Sequence, residues 1–572
     1  MASSTTERRQ RCHPGETISM SKNYTAVIFF HGVGDPQRHV SLSSFLDHLD
    51  LYGQTQAETP IGAAQRFRYR SSATGPNQVL NYVELSNVRK RPDGTTFLHK
   101  RVRLYEAYWV PEAGARYSTI YLLGWLLIRI VNPVKLLSSK WRSYPGLRIW
   151  NLVYMASKPK TKTGLYKDLE RAYHNFDAWE NRRRFPKGSF SEFRQYVEEQ
   201  FGDKRSSAAL RLLHDWRRTF WRYNVTLLFK CLYYSAMGVT FLLLLGASIR
   251  LTVDAFVSEG IYATLGWQTL VAAASSGVIG AIWIGLRRHA IDVLTWTLDT
   301  EKDERIKARG RVVGVGRKII RAIVDDPKCE DCILVGHSLG SCIAVEALLR
   351  EGQFVRARGL DEAATGISDN ITKIRDVFTV GSPLDRIFYF FESDRTFSHR
   401  YNRIYEEQRL TINLPPFWNL ATAGSSRITN FWSRFDPISS PLFSVRKKVA
   451  ERADAITNIE CLPEGVPLPI STHVSYFSDP SVIGRIYKSI MTSGEVSPVE
   501  AAPPLSPSRR AMFSLFVAPP ILAMVLFLLL LGNQVGAGVG FLLLLLTAWL
   551  GRKSAVRLRN HHRAHAGAYL AR

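Results

Sequence analysis

Short apolar runs and helical patterns alternate in two separated parts of the chain. The first part holds one buried-type strand, in TAVIFFHGVGD (25–35). The second part holds three more, in CILVGH (332–337), DVFTVGSPLD (376–385) and ITNFWSRFDPIS (428–439). Runs of this length, bounded by glycine or proline, favour strands of a buried sheet. Between the two parts, residues 157–222 are charged and aromatic with helical spacing, which predicts a helical insertion.

Three other stretches are too long and too free of charge for an ordinary soluble core. Residues 231–249 are 19 uncharged residues, 260–286 are 27 more, and 511–551 are 41. About 20 helical residues cross a hydrocarbon layer of roughly 30 Å. We therefore predict two transmembrane helical hairpins, one with spans at about 231–249 and 261–286, and one at 511–551. A buried hairpin of a large soluble domain is the alternative for the first pair.

The formal net charge of +26 first suggests a nucleic-acid partner, but its distribution suggests otherwise. Lys and Arg cluster beside the apolar stretches: before the first span, after the second, before the third, and in a tail of 21 residues that holds six Lys and Arg residues and no acidic one. Basic residues beside a span favour the cytoplasmic side. We therefore expect a multi-pass membrane protein with its folded unit at the cytoplasmic face and no nucleic-acid partner.

The six cysteines are too few and too scattered for a disulfide framework, which favours a reducing compartment. The amino terminus has arginines but no apolar run behind them, so no cleavable secretory signal is visible. A linker rich in proline precedes the last hairpin. The predicted organisation is a tail (1–22), the first part of a core (23–111), a helical insertion with a hairpin (112–300), the second part of the core (301–490), the linker (491–510), the second hairpin (511–551) and a basic tail (552–572).

A serine stands at the sharp turn predicted between a strand and a helix. The stretch CILVGHSLGSCIAVEALL (332–349) begins as an apolar strand, reaches Ser338 through Gly336, and continues after Gly340 with a helical apolar face. A strained turn of this kind needs glycines on both sides so that nothing crowds the serine Oγ. Ser338 is therefore the candidate nucleophile, with Gly336 and Gly340 as the glycines of the turn.

A nucleophilic serine also needs donors for the oxyanion. The glycine-bearing loop after the first strand can bring a backbone N–H beside the turn; we favour Val33 as that donor, with Gly34 as the alternative. The N–H of Leu339 would supply the second donor, because the helix begins there. His31, in the same loop, is interpreted as a structural residue and not as the base.

The α/β hydrolases, which this strand–turn–helix motif resembles, have an acid and then a histidine after the serine along the chain, and the resemblance implies the same order here. Asp436 comes at the end of a predicted strand and before a proline that fixes a turn, and Asp385 is the alternative acid. His473, just ahead of a predicted short helix, is the candidate base. His399 precedes Asp436 and breaks the order, and the histidines of the tail lie beyond a membrane hairpin.

These motifs resemble the α/β-hydrolase superfamily, specifically its lipase-like and esterase-like members. The resemblance covers residues 24–108 and 311–487, through VIFFHGVGD, YEAYWVPEAG, VGHSLGSCIAVEALL, VFTVGSPLD, FWSRFDPIS and THVSYFSDPSV. It implies an α/β fold with a mostly parallel eight-strand sheet flanked by helices. The helical insertion between the two parts is a departure, and it puts in doubt any substrate inferred from soluble relatives.

The expected activity is a serine hydrolase with an acyl-enzyme intermediate, acting on amphipathic carboxylic esters at a lipid bilayer and needing no cofactor or metal. Acyl transfer or thioester hydrolysis would use the same residues, and a catalytically silent membrane scaffold is the alternative that is not an enzyme. Cys329-x-x-Cys332 lacks a second pair and is interpreted as packing. His561, His562 and His565 are interpreted as part of a solvated tail. The oligomeric state is not predicted.

Overall fold

The structure, a computed structural model, describes the sheet and the helices around it. The described residues are 23–33, 37–55, 66–75, 78–90, 96–113, 303–358, 369–384, 427–433, 435–436, 438–442, 456–464 and 469–491, together with 164–165, 168–169, 171–172, 193–202, 205–215, 218, 549 and 556.

Eight strands form one sheet, as the resemblance implies. They are β1 (Tyr24–Phe30), β2 (Arg66–Gly75), β3 (Gln78–Lys90), β4 (Thr96–Glu106), β5 (Cys329–His337), β6 (Ile374–Val380), β7 (Arg427–Trp432) and β8 (Ile456–Glu460), in the spatial order β2-β3-β4-β1-β5-β6-β7-β8. Only β3 runs against its neighbours, since the pairs β2–β3 and β3–β4 are antiparallel and all others parallel. The fold is therefore α/β with a mostly parallel sheet.

Helices cover both faces of this sheet. They are α1 (Val40–Thr55), α2 (Asp303–Val324), α3 (Leu339–Ala357), α4 (Pro469–Val474) and α5 (Pro480–Met491). All seven side chains of β1 are buried, and they alternate between two cores. Ala26, Ile28 and Phe30 pack with α2 and α3, whereas Val27 and Phe29 pack with α1 and α5. Burial on both faces explains why β1 is a continuous apolar run.

The predicted membrane spans at 231–249, 261–286 and 511–551 lie outside the described residues, apart from Trp549. In the part of the chain that the structure covers, no helix combines the length and the apolar character that a membrane crossing requires. The two hairpins therefore stay predictions from the sequence.

Candidate active site

Ser338 occupies the turn between β5 and α3, as the strand–turn–helix pattern predicts. Its φ is +51°, in the left-handed region that a residue with a side chain rarely adopts. Two hydrogen bonds hold this strained turn: Ser338 N–H donates to Val380 O at 2.8 Å, and Ser341 Oγ donates to Gly336 O at 2.7 Å. The turn thus fixes the direction of the Ser338 side chain.

Glycines allow the backbone to come close around this turn. A Cβ on Gly336 would lie 2.6 Å from Ser341 Cα, and a Cβ on Gly340 would lie 2.2 Å from Phe30 O. A Cβ on Gly32 would lie 3.0 Å from Ser338 Cβ, so the loop after β1 passes directly beside the serine. Gly336 and Gly340 therefore have the steric role that the sequence predicts for them.

Ser338, His473 and Asp436 form a continuous hydrogen-bonded chain. Ser338 Oγ lies 2.7 Å from His473 Nε2, and His473 Nδ1 lies 2.8 Å from Asp436 Oδ2. All three residues are buried, with exposed fractions of 2% for Ser338, 4% for His473 and 0% for Asp436. The structure brings together the three residues that the sequence selects, although 135 positions separate Ser338 from His473.

The carboxyl ends of neighbouring parallel strands explain how these residues meet. Ser338 follows β5, and Asp436 follows β7 two strands away, with β6 between them. The expectation that Asp436 ends a strand is wrong, because β7 ends at Trp432. Asp436 instead lies beyond the end of β7, and its N–H donates to Ser433 O at 3.2 Å. His473 lies in the last turn of α4, a helix that the sequence did not predict, and the short 3-10 turn Tyr476–Ser478 and then α5 follow it, as the sequence predicts.

Both oxygens of Asp436 accept hydrogen bonds. Oδ1 accepts from Ile438 N–H at 2.8 Å, and Oδ2 accepts from His473 and from the hydroxyl of Tyr476 at 2.9 Å. Tyr476 is fully buried, and its oxygen also lies 2.8 Å from Ser439 Oγ. Tyr476 is not among the residues predicted from the sequence, and its only signal there is its position three residues after His473 in THVSY.

His337, which directly precedes the serine, contacts the segment that carries the base. His337 Nε2 lies 3.0 Å from His473 O, and the two imidazole rings are 5.4 Å apart. Burial, followed by the nearby His473, lowers the pKa of His337 to about 4, so the ring is neutral near pH 7. A neutral His337 can donate Nε2–H to the carbonyl of His473 and tie the strand β5 to α4.

The loop after β1 is fixed by His31 and Trp109. The two rings stack with centroids 4.9 Å apart, and Trp109 Nε1–H donates to His31 O at 3.2 Å. Burial lowers the pKa of His31 to about 4, and its Nδ1 lies 2.9 Å from Gly32 O. No described contact joins His31 to Ser338 Oγ, in agreement with a structural interpretation of this histidine.

The two candidate oxyanion donors belong to the two segments that come close together at Gly340, namely the loop after β1 and the start of α3. Val33 is partly buried and packs against the core cluster that contains α2 and α3. Leu339 is the first residue of α3, where N–H groups have no acceptor within the helix. The alternatives Gly34 and Asp385 lie outside the described residues, as do His399 and His561, His562 and His565.

The cysteines near the serine belong to the core. Cys329 and Cys332 are free thiols with exposed fractions of 1% and 0%. Burial raises the pKa of Cys329 to about 12 and raises that of Cys332 well above its ordinary value, which keeps both thiols protonated. Protonated thiols are poor nucleophiles and poor metal ligands, so the burial and the raised pKa values of the two cysteines favour the packing interpretation.

Comparisons with protein-family models, with curated proteins and with solved structures gave no match. The chemistry of the site therefore has to be inferred from its own geometry.

Proposed function

We propose that the chain is a membrane-bound serine hydrolase of the α/β-hydrolase superfamily that cleaves carboxylic esters. The observation that carries this proposal is the hydrogen-bonded chain from Ser338 Oγ through His473 to Asp436, with both distances below 3 Å. A serine, a base in contact with it, and an acid that orients the base are the parts that nucleophilic acyl transfer needs. The strained φ of Ser338 is further support, because strain of this kind concentrates at functional sites.

The proposed reaction begins when Ser338 Oγ attacks the ester carbonyl while His473 Nε2 takes the hydroxyl proton. Asp436 accepts the Nδ1–H bond, holds the imidazole in the required tautomer and stabilises the imidazolium. His473 then returns the proton to the leaving alcohol, and the acyl group stays on Ser338. Water activated by His473 adds to the acyl-enzyme, Ser338 leaves with the proton, and a carboxylic acid is released.

The oxyanion of each tetrahedral intermediate would accept hydrogen bonds from Leu339 N–H and Val33 N–H. The close approach of α3 to the end of β1, which requires a glycine at 340, supports this assignment because it brings both segments beside Ser338. A single donor of this type is typically worth about 3 kcal/mol of transition-state stabilisation.

The proposed substrate class rests on the sequence and on one exposed apolar residue next to the base. Two transmembrane hairpins, at 231–249 with 261–286 and at 511–551, would hold the catalytic unit at the cytoplasmic face of a bilayer. Val474, the residue after His473, is apolar and 58% exposed. A tethered site with apolar surface beside its base suits amphipathic esters, and we therefore propose lipid or other acyl esters as substrates.

Ester turnover by the full chain in detergent tests this function. We expect hydrolysis of long-chain phospholipids or acylglycerols in mixed micelles to exceed that of short-chain soluble esters, because the bound acyl chain would gain about 0.8 kcal/mol per buried methylene. The matched control is Ser338→Ala, which should reduce every rate to background. If the folded chain hydrolyses none of these esters, the proposed function is refuted; a preference for short esters would refute the lipid assignment alone.

A further inference from the structure

Tyr476 shares an oxygen of Asp436 with the base. Its hydroxyl lies 2.9 Å from Asp436 Oδ2, and His473 Nδ1 lies 2.8 Å from the same atom. Tyr476 has an exposed fraction of 0%, so no water competes with this contact from outside. The second oxygen, Oδ1, is bound by Ile438 N–H. Three donors from two segments therefore fix the carboxylate.

The chemistry of the two groups decides which of them donates the hydrogen bond between Tyr476 and Asp436. An ionised carboxylate only accepts hydrogen bonds. Burial, followed by the negative charge of Asp436, raises the pKa of Tyr476 well above its ordinary value, so the phenol keeps its proton. Tyr476 is thus the donor to Asp436, and its oxygen is free to accept from Ser439 Oγ, 2.8 Å away.

The local backbone is shaped to admit the tyrosine ring. Tyr476 begins a short 3-10 turn (Tyr476–Ser478) three residues after His473, so both side chains reach one carboxylate. Gly381 has φ +63°, and a Cβ there would lie 2.9 Å from Tyr476 Cε2 and 3.4 Å from His473 Cε1. The rings of His473 and Tyr476 are perpendicular, at an interplanar angle of 89°. A glycine at 381 therefore leaves room for the ring beside the base.

We propose that Tyr476 is a positioning residue of the site, whose hydroxyl aims Asp436 Oδ2 at His473 and moderates the negative charge that faces the imidazole. The inference rests on the proposed function. A donor on the carboxylate draws negative charge away from Oδ2, so the imidazolium that forms on His473 is stabilised less. Without the hydroxyl, Oδ2 would become a stronger acceptor toward His473 Nδ1, and the imidazolium would be stabilised more.

Tyr476→Phe removes the hydroxyl and keeps the ring. We expect the rate of labelling by a fluorophosphonate to fall about fivefold at its plateau, because the carboxylate is held less firmly. We also expect the acid limb of the rate against pH to move to higher pH by about 0.5–1 unit. The matched control is Tyr24→Phe, because Tyr24 OH also donates to a carboxylate, Asp326 Oδ2, at 2.7 Å. Tyr24 is the first residue of β1, whereas the site lies beyond the last residue of that strand.

The control should give the wild-type pH profile. If Tyr476→Phe also gives the wild-type rate and profile, or loses only thermal stability, the positioning role is overturned. A second substitution changes the sign: 3-fluorotyrosine at 476 is a stronger donor and should move the acid limb to lower pH, and an unchanged or raised limb contradicts the proposal. A folded wild-type chain that no fluorophosphonate labels would refute the proposed function itself, whereas a labelled wild type with unshifted variants refutes the role of Tyr476 alone.

Discussion

Asp436→Asn is expected to lower kcat for ester hydrolysis by about 10⁴ while the fold is retained. An amide has one oxygen and one NH₂ group, whereas both oxygens of this carboxylate accept hydrogen bonds. An NH₂ at Oδ1 would face Ile438 N–H, and at Oδ2 it would face His473 and Tyr476. If the NH₂ takes the Oδ2 position, His473 must present an unprotonated Nδ1, and its Nε2 then carries the proton and cannot accept one from Ser338.

Steady-state kinetics in detergent with a thermal unfolding control measures this effect. Asp326→Asn is the matched control, because Asp326 also accepts from a tyrosine but lies at the far end of β1, and it should keep kcat near the wild-type value. A loss of less than tenfold in Asp436→Asn would show that Asp436 does not orient the base. A larger loss in Asp385→Asn would make Asp385 the acid instead.

Gly340→Ala is expected to destabilise the fold by about 3 kcal/mol or more, despite the better helix propensity of alanine. The added Cβ would lie 2.2 Å from Phe30 O and 2.4 Å from His31 O, and neither backbone atom can move without breaking the end of β1. The same shift would displace the loop that carries Val33, so esterase activity should be lost together with stability.

Gly314→Ala is the matched control for this substitution. Gly314 lies in α2, and a Cβ there would meet no atom of the described residues within 4 Å outside the backbone of its own helix. Alanine should therefore raise the free energy of unfolding by about 0.5–1 kcal/mol, the usual gain for a helical position. Equal stability of Gly340→Ala and wild type in chemical denaturation would contradict the close approach of α3 to β1.

The parts of the site that the sequence predicts are those with local signals. The turn at Ser338 combines an apolar strand, flanking glycines and a helical pattern within 18 residues, and all three features are present in the structure. The order of residues after Ser338 predicts Asp436 and His473 as its partners. The sheet brings Asp436 near Ser338 because β5, β6 and β7 are parallel neighbours whose carboxyl ends lie at the same edge.

The parts that the sequence does not predict depend on contacts between distant segments. Strand β2 is at one edge of the sheet and β3 is next to it, and both carry many charged and polar residues, so no apolar run identifies them. Pro437 predicts a turn beside Asp436, but no sequence signal predicts the hydrogen bonds that hold it, from Asp436 N–H to Ser433 O and from Ser433 N–H to Ser439 Oγ. The role inferred for Tyr476 likewise depends on its contact with Asp436, a residue 40 positions earlier in the chain.

Labelling of the full chain by a fluorophosphonate, with identification of the modified residue by mass spectrometry, tests the central claim most directly. The reagent forms a covalent bond only with a serine that a neighbouring base activates. We expect one modified residue, Ser338, in the native chain, and no labelling of Ser338→Ala, His473→Ala or the heat-denatured chain. A folded wild-type chain that stays unlabelled, or that carries the label on another serine, would contradict the assignment of Ser338, His473 and Asp436 as a catalytic triad.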